Sequence, residues 1–533
     1  MEKRALLFLV LSLIIVMLYP YLLEMFTPAG KRETEKGSRP QTGMVQKSPQ
    51  EPPRAAPLLA PAQERLLIIE TELYRAVLST RGGVITEWQL KAHQDNGQQP
   101  PQAIKLYQPA AQNIPPLSIM TGNADLDAQL QQTIFQVQGG DLTLDAERPT
   151  GRITLVFDDP AGNRFVAKHL TFKHDSYEVG VELEAQGISD LYQVLLGTNF
   201  GIVDWGGTGF VGFIGPVSMI GETLVKDSPS KMEAVVRHEG EPVWTALQDK
   251  YFISALIPTE AKAAVVSKTH EQAVTVGIEF ASTGQTLSRH AFRLYAGPKE
   301  YDRLVAQRVG LEESIDFGWF IFGSWSVVGA IAKPLFHILR FFHDYTRNYG
   351  VAIILLTVGV RVLFIPLMHK SYKAMKAMQA VQPQMAALQK KYKEDRERLN
   401  RELMELYKKH GANPLGGCLP MLLQVPVFIA LFNVLYTTIE LRQAPFFLWV
   451  TDLSSKDPYY VLPIIMGATM VIQQKMQPTT MDPRQAKLFM FMPVFFTFLF
   501  LSFPSGLVLY WLTNNLLTIA QQYITLKYLE RVR

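Results

Sequence analysis

Hydrophobic positions along the chain follow three rhythms in turn. The first is a single apolar run, residues 5–26, behind Lys3 and Arg4. It exceeds the roughly 7–15 residues of a cleavable signal, and Thr27-Pro28-Ala29 makes a poor cleavage site. Residues 1–26 are therefore expected to be a retained signal-anchor helix with its N-terminus in the cytoplasm. Residues 27–63 are rich in Pro, Gln, Lys and Glu without periodic apolar positions, which predicts a disordered periplasmic linker. From 64 to 310 the rhythm becomes that of short strands. Runs at 66–71, 73–79 and 83–90 are broken by Arg81-Gly82-Gly83, and runs at 152–157 and 165–172 flank a turn rich in Asp, Pro, Gly and Asn. Further runs lie at 177–183, 263–267 and 274–280, with no helical pattern between them, so an antiparallel β-sandwich is expected.

The third rhythm is that of membrane helices. Apolar segments of bilayer length or slightly less occupy about 351–368, 414–436, 459–474, 486–503 and 505–524. With the N-terminal anchor they make six spans and return both termini to the cytoplasm. Residues 317–332 carry no charge and are nearly long enough for a seventh span. Counting them would put the basic segments 370–412, 475–487 and Lys527/Arg531/Arg533 outside, against the positive-inside tendency. Trp319 and Trp325, followed by Lys333, Arg340 and His343, instead suit an amphipathic helix in the headgroup plane, within an interfacial region 311–348. In 370–410, Met375, Met378, Val381, Met385 and Leu388 recur at helical spacing, as do Leu399, Leu403, Met404 and Tyr407. Residues 392–395 divide the two sets, so a basic cytoplasmic helical hairpin is predicted. Its apolar stripes serve packing between the two helices, and the flexible methionines also suit varied apolar partners.

The chain thus reads as a multi-domain membrane protein: an α-helical insertion into the bilayer at 349–533, an exported all-β domain at 64–310 and a cytoplasmic hairpin. Composition narrows the chemistry. A net charge of +4 gives no reason to expect DNA binding. Cys418 is the only cysteine, so no intramolecular disulfide holds the exported domain together. There is no P-loop, no HExxH and no Cys/His cluster, so neither a metal nor a cofactor is expected, and no catalytic residues are assigned.

One residue breaks the apolar pattern with a large local cost. Arg361 lies in the middle of the 351–368 segment, where a cation costs roughly 2.5–3.5 kcal/mol on translocon scales. About ten helical residues at ~1.5 Å each separate it from one end, which makes snorkelling difficult. A water-filled recess within the membrane accounts for it better. Polar residues in neighbouring spans point the same way: Thr357 one turn away, Gln424, Gln474, and the series Thr513, Asn514, Asn515, Thr518, Gln521 and Gln522 in the last span. No Asp or Glu occupies the middle of any predicted span, whereas a proton-coupled carrier normally places carboxylates there.

Several motifs resemble those of the YidC membrane protein insertases. They are Asn413-Pro414-Leu415-Gly416-Gly417-Cys418, Gln424-Val425-Pro426, Glu440-Leu441-Arg442-Gln443-Ala444-Pro445-Phe446, Asp457-Pro458-Tyr459-Tyr460-Val461-Leu462-Pro463 and Phe503-Pro504-Ser505-Gly506-Leu507-Val508-Leu509-Tyr510. The anchor followed by a large sandwich domain resembles the Gram-negative form of that family. The resemblance implies a β-supersandwich outside and a hydrophilic groove inside, with Arg361 in the groove and Thr357, Tyr510 and Trp511 lining it or touching clients. Gln424, Gln474 and Asn515 complete the candidate client-binding set. It also implies a protein of the bacterial inner membrane that inserts, folds and helps assemble nascent membrane proteins, alone or with the Sec translocon. The chain stops at Arg533 without a long basic tail, so ribosome contact is expected through the 370–410 hairpin.

The expected mechanism uses no chemical step and is not enzymatic. Two other classes fit the sequence less well. A channel or secondary transporter needs a transmembrane path and usually an inverted repeat, and the sequence displays neither. A membrane-tethered carbohydrate enzyme would have to use exported residues such as His169, His174, His238 and His270, which show no catalytic spacing.

Overall fold

In the computed structural model, the described residues are 63–95, 101–160, 162–203, 213–232, 234–270, 273–282, 286–320, 323–392, 395–410, 419–476, 483–531. The expected anchor at 1–26 and nearly all of the linker at 27–63 lie outside them.

Alternating burial builds the β domain. In Glu178–Gln186 the side chains alternate between buried and more open positions, as expected for a strand with one face on the core. This strand lies inside a nine-stranded sheet, next to its central strand. From one edge the order is Thr223–Lys226, Gly215–Ile220, Pro242–Gln248, Phe252–Pro258, Ser288–Pro298, Glu178–Gln186, Arg164–Lys173, Thr150–Asp159 and Gln136–Gln138. Two five-stranded sheets accompany it, one centred on Tyr74–Ser79 and the other on Ala273–Ala281. Ring contacts tie the layers together: Tyr74 to Tyr177 at 6.4 Å on one side, and Phe280 to Phe292 at 6.1 Å on the other.

Two features depart from the expected antiparallel, helix-free domain. Leu66–Glu70 pairs in parallel with the two-residue strand Leu142–Thr143, which reaches that edge after a long excursion. Helix α1, Ala124–Gln132, has little amphipathic signal in the sequence and is started by Asn123, whose side chain accepts from the Asp125 and Leu126 amides.

A short helix α2, Tyr301–Val305, leads out of the domain. The uncharged stretch after it is not one helix. Trp319–Phe320 and Gly323–Ser324 form a small hairpin closed by Trp325 N–H donating to the Gly318 carbonyl at 2.8 Å. Helix α3 then runs over Ser326–Thr346. Val328, Ala332, Leu335, Phe336 and Leu339 form its buried stripe, while Val327, Ile338, Phe341 and Tyr345 are exposed on the other side.

Six further helices follow: α4, Tyr349–Lys391; α5, Arg396–His410; α6, Leu419–Thr437; α7, Val461–Met476; α8, Pro483–Phe500; α9, Ser505–Arg531. Asn348 caps α4 by accepting from the Val351 amide at 3.0 Å. Among the described residues, Tyr349–Ser371 is the stretch long and apolar enough to cross a membrane. Gln424–Thr437, Val461–Met476 and Met490–Phe500 are shorter apolar helices. The far half of α4 folds against α5, with Val381 fully buried and Tyr407 Oη donating to Met385 Sδ at 3.7 Å.

The β domain is joined to the helices by polar contacts. Asn433 of α6 donates to the Phe317 carbonyl at 2.8 Å, and Lys250 Nζ stands 3.4 Å from the ring centre of Tyr436. The Glu440 carboxylate accepts from the Tyr301 amide at 3.5 Å. Burial raises the Glu440 carboxyl to about 7, Glu300 adds to the rise, and Arg340 opposes it. The folded joint therefore holds this proton more tightly than the unfolded chain does. Between the ordinary carboxyl value and about 7 the native state binds more protons, so stability falls as pH rises through that window and levels off above it. The thermal midpoint of the detergent-solubilised protein should drop between pH 5 and pH 8, and Glu440→Gln should flatten that drop. An unchanged pH profile in the variant would remove Glu440 as its source.

Candidate functional site

The charged residue singled out by its position is held among three helices. Thr357, Val360, Arg361 and Phe364 from α4, Gln424 and Val427 from α6, and Tyr510 and Asn514 from α9 line a small, partly open cavity. Arg361 is only 7 % exposed, and its Nη2 donates to the Thr518 hydroxyl. That hydroxyl also donates back to the Asn514 carbonyl at 2.6 Å, one turn earlier, which fixes its lone pairs toward the guanidinium. Thr357 is similarly locked, donating to the Ile353 carbonyl at 2.6 Å.

Two of the helices that line this cavity are interrupted by proline. Pro366 lies inside α4 just beyond Arg361, and Pro426 lies inside α6 two residues from Gln424. Each removes a helical N–H and leaves the carbonyl four residues earlier without its usual donor.

Of the residues selected from sequence, Arg361, Thr357, Gln424 and Tyr510 line the cavity together. Trp511 stands beside it in an aromatic wall, 4.9 Å from Phe428 and 4.8 Å from Phe500 between ring centres. Asn515 turns the other way and donates to Thr469 of α7 at 3.2 Å. Gln474, near the end of α7, is half-buried outside the lining.

Asn514 and Thr518 belong to the polar series of the last apolar segment but not to the candidate client-binding set. The helical period could have found them, because Tyr510, Asn514 and Thr518 succeed one another at four-residue intervals on one face. Asn515 and Gln522 belong to a second stripe about a quarter-turn away, and Gln522 donates to the Met476 carbonyl at 2.8 Å. The last helix thus carries two polar faces, one toward Arg361 and one gluing α9 to α7.

Comparisons with known proteins converge on this architecture. The family described as "60Kd inner membrane protein" matches residues 341–531, and the one described as "YidC periplasmic domain" matches residues 66–338. The membrane protein insertase YidC of Geotalea daltonii is 40% identical over 540 residues, covering 98% of each chain. The chain belongs to the YidC family. The YidC insertase of Geobacter metallireducens is 39% identical over 542 residues, again covering 98% of each chain. A crystal structure titled as an active YidC insertase with its first transmembrane domain resolved aligns with 87% of this chain and 93% of its own, at 20% identity and a TM-score of 0.39.

The protein is therefore a membrane protein insertase of the inner-membrane YidC type, with membrane proteins as substrates and an all-β domain preceding its helical core. The family's role is non-enzymatic, and the channel or transporter reading has no support in these relatives.

Proposed function

We propose that the cavity around Arg361 is the part of a hydrophilic groove that receives the polar flank of a client, and that the groove opens to the cytoplasm and to lipid but not outward. The observation carrying this is the convergence of a guanidinium, Thr357, Gln424, Asn514 and the Tyr510 ring on one recess inside apolar helices. Two unit charges at ~4 Å and an effective dielectric near 20 attract by about 4 kcal/mol before desolvation. That offsets much of the penalty for drawing a short acidic or polar tail into the bilayer. The client's apolar part meanwhile slides along the Phe428, Phe500 and Trp511 wall and leaves into lipid, where burial of about 20 apolar residues drives release.

Topology follows from the same reading. The chain crosses the membrane six times, with both termini and the α4–α5 hairpin in the cytoplasm and residues 64–310 in the periplasm. The basic hairpin is the ribosome contact, and the Sec translocon is a partner for a subset of clients. Removal of most of 64–310 should leave insertion intact, because the β domain contributes no side chain to the cavity lining.

Photo-crosslinking of a stalled nascent client in proteoliposomes tests the groove. A photoreactive side chain at Gln424 or Asn514 should capture the client's polar flank at several times the yield of one at Leu363, which is exposed on the outside of α4. Equal yields at the three positions would dismiss the recess as the route.

A further inference from the structure

The connection between α6 and α7 is unusual in being rigid at its base and apolar at its tip. Asp452 organises the base by accepting from the Gln443 amide at 3.0 Å, the Ser454 amide at 2.8 Å and the Ser455 hydroxyl at 2.8 Å. Asp457, fully buried, accepts from the Tyr459 amide at 3.0 Å and the Leu462 amide at 2.7 Å. Ser505 and Gly506 at the start of α9 donate to the Ser455 and Leu453 carbonyls, and Asn348 before α4 donates to the Phe446 carbonyl at 3.1 Å. The loop is thereby bolted to two helices at once, with Gly350 so close to the Phe446 ring that a Cβ there would overlap it.

Asp452 and Asp457 are both used within the loop, on backbone amides and serine hydroxyls. The outer tip, Phe447-Leu448, is uncharged and open, with Leu448 85 % exposed. Leu448 also holds a φ of 55°, a left-handed conformation that a branched, non-glycine residue adopts at a cost. A leucine kept in that conformation by a rigid frame while facing water would gain nothing in return. Tyr459, 6.4 Å from the Trp449 ring, and Tyr460 are exposed, as are Ile464 and Ile465 on the first turns of α7.

We propose that the Phe447–Leu448 tip is a lipid anchor, seated with Tyr459 and Tyr460 in the headgroup–acyl boundary of the outer leaflet. The occupant is lipid because Trp449 behind the tip meets Tyr459 at 6.4 Å between ring centres, leading from the tip to the start of an apolar helix, and because its composition of exposed aromatic and aliphatic residues suits that boundary. The anchor fixes the depth of the frame that carries the first turns of α4 and α9, and through them the level of Arg361 and Tyr510 in the bilayer. It rests on the topology above, which puts residues 438–460 at the periplasmic face.

The test uses full-length protein in proteoliposomes, with Cys418→Ser as background. A fluorophore at Leu448→Cys should be quenched several-fold more by doxyl groups carried on lipid chains than by iodide in the buffer. One at Ser455→Cys, exposed at the base, should show the reverse preference, which excludes partitioning of the dye itself. Iodide quenching at 448 overturns the anchor, and protection from both quenchers does so too, since it means that a protein surface covers the tip. Separately, Lys456→Cys in intact spheroplasts should react with an impermeant maleimide; failure there refutes the topology, whatever the quenching at 448 shows.

Discussion

Arg361→Ala is expected to lower insertion of a client with an acidic translocated tail by about tenfold or more, since even 1.4 kcal/mol of lost attraction has that effect. The measurement is the protease-protected fraction of a short client in proteoliposomes. The guanidinium is nearly buried and held by the Thr518 hydroxyl, which is itself anchored to the Asn514 carbonyl. Charge at this depth does the attracting, and the fork geometry only aims it. Arg361→Lys should therefore retain much of the activity although its ammonium cannot reproduce a planar fork. A client whose tail carries no acidic residue should depend less on the substitution. Equal insertion by wild type and both variants would eliminate the electrostatic role of Arg361 for that client.

The second large effect concerns stability of the β domain, far from the groove. Lys168 is 2 % exposed, and its Nζ donates to the carbonyls of Gly82, Gly83 and Leu117 at 3.0, 2.9 and 2.8 Å. It also lies 5.3 Å from the centre of the Phe135 ring. Burial pulls its ammonium down to about 7, but three acceptors match the three hydrogens of the charged form and favour keeping it. One side chain thus links the nine-stranded sheet to the 82–83 turn and to the loop before Ile119. Lys168→Met keeps the stem and deletes all three bonds, and should cost about 2–4 kcal/mol, less than the gross value of three charged bonds because the buried charge disappears as well. A chemical-denaturation midpoint equal to that of wild type would refute the linchpin role. Because Lys168 does not touch the groove, the protein that remains folded should still insert clients.

These two lysine and arginine sites differ in how visible they are in the chain. Arg361 stands out because the cost of a charge in an apolar segment is a local property, written in eighteen consecutive residues. Lys168 sits in Arg164–Lys173, a strand that also carries Arg164 and Lys173, and nothing in that strand marks one cation as buried. Its partners are more than fifty residues away in sequence, in a turn and a loop whose approach depends on the packing of two sheets.

The same contrast runs through the helices. The apolar period of the sequence stops at 392–395, and Tyr392 is the C-cap of α4. The 317–332 stretch was less legible: its lack of charge hides a hairpin at Gly318–Ser324, where glycines and a backbone bond to Trp325 override the apolar run. Helix α1 was missed because Asn123 supplies its start and burial of only a few side chains sustains it.

By itself the sequence determined the order of apolar segments and strands, the cation in the middle of the 351–368 segment and the motifs by which the family is recognised, since each depends on composition within a short window. The tertiary structure alone decided which polar groups share a cavity. Asn514 and Asn515 are neighbours of identical chemistry, yet one faces Arg361 and the other Thr469. The 100° that separates successive side chains on a helix has meaning only once the neighbouring helices are in place.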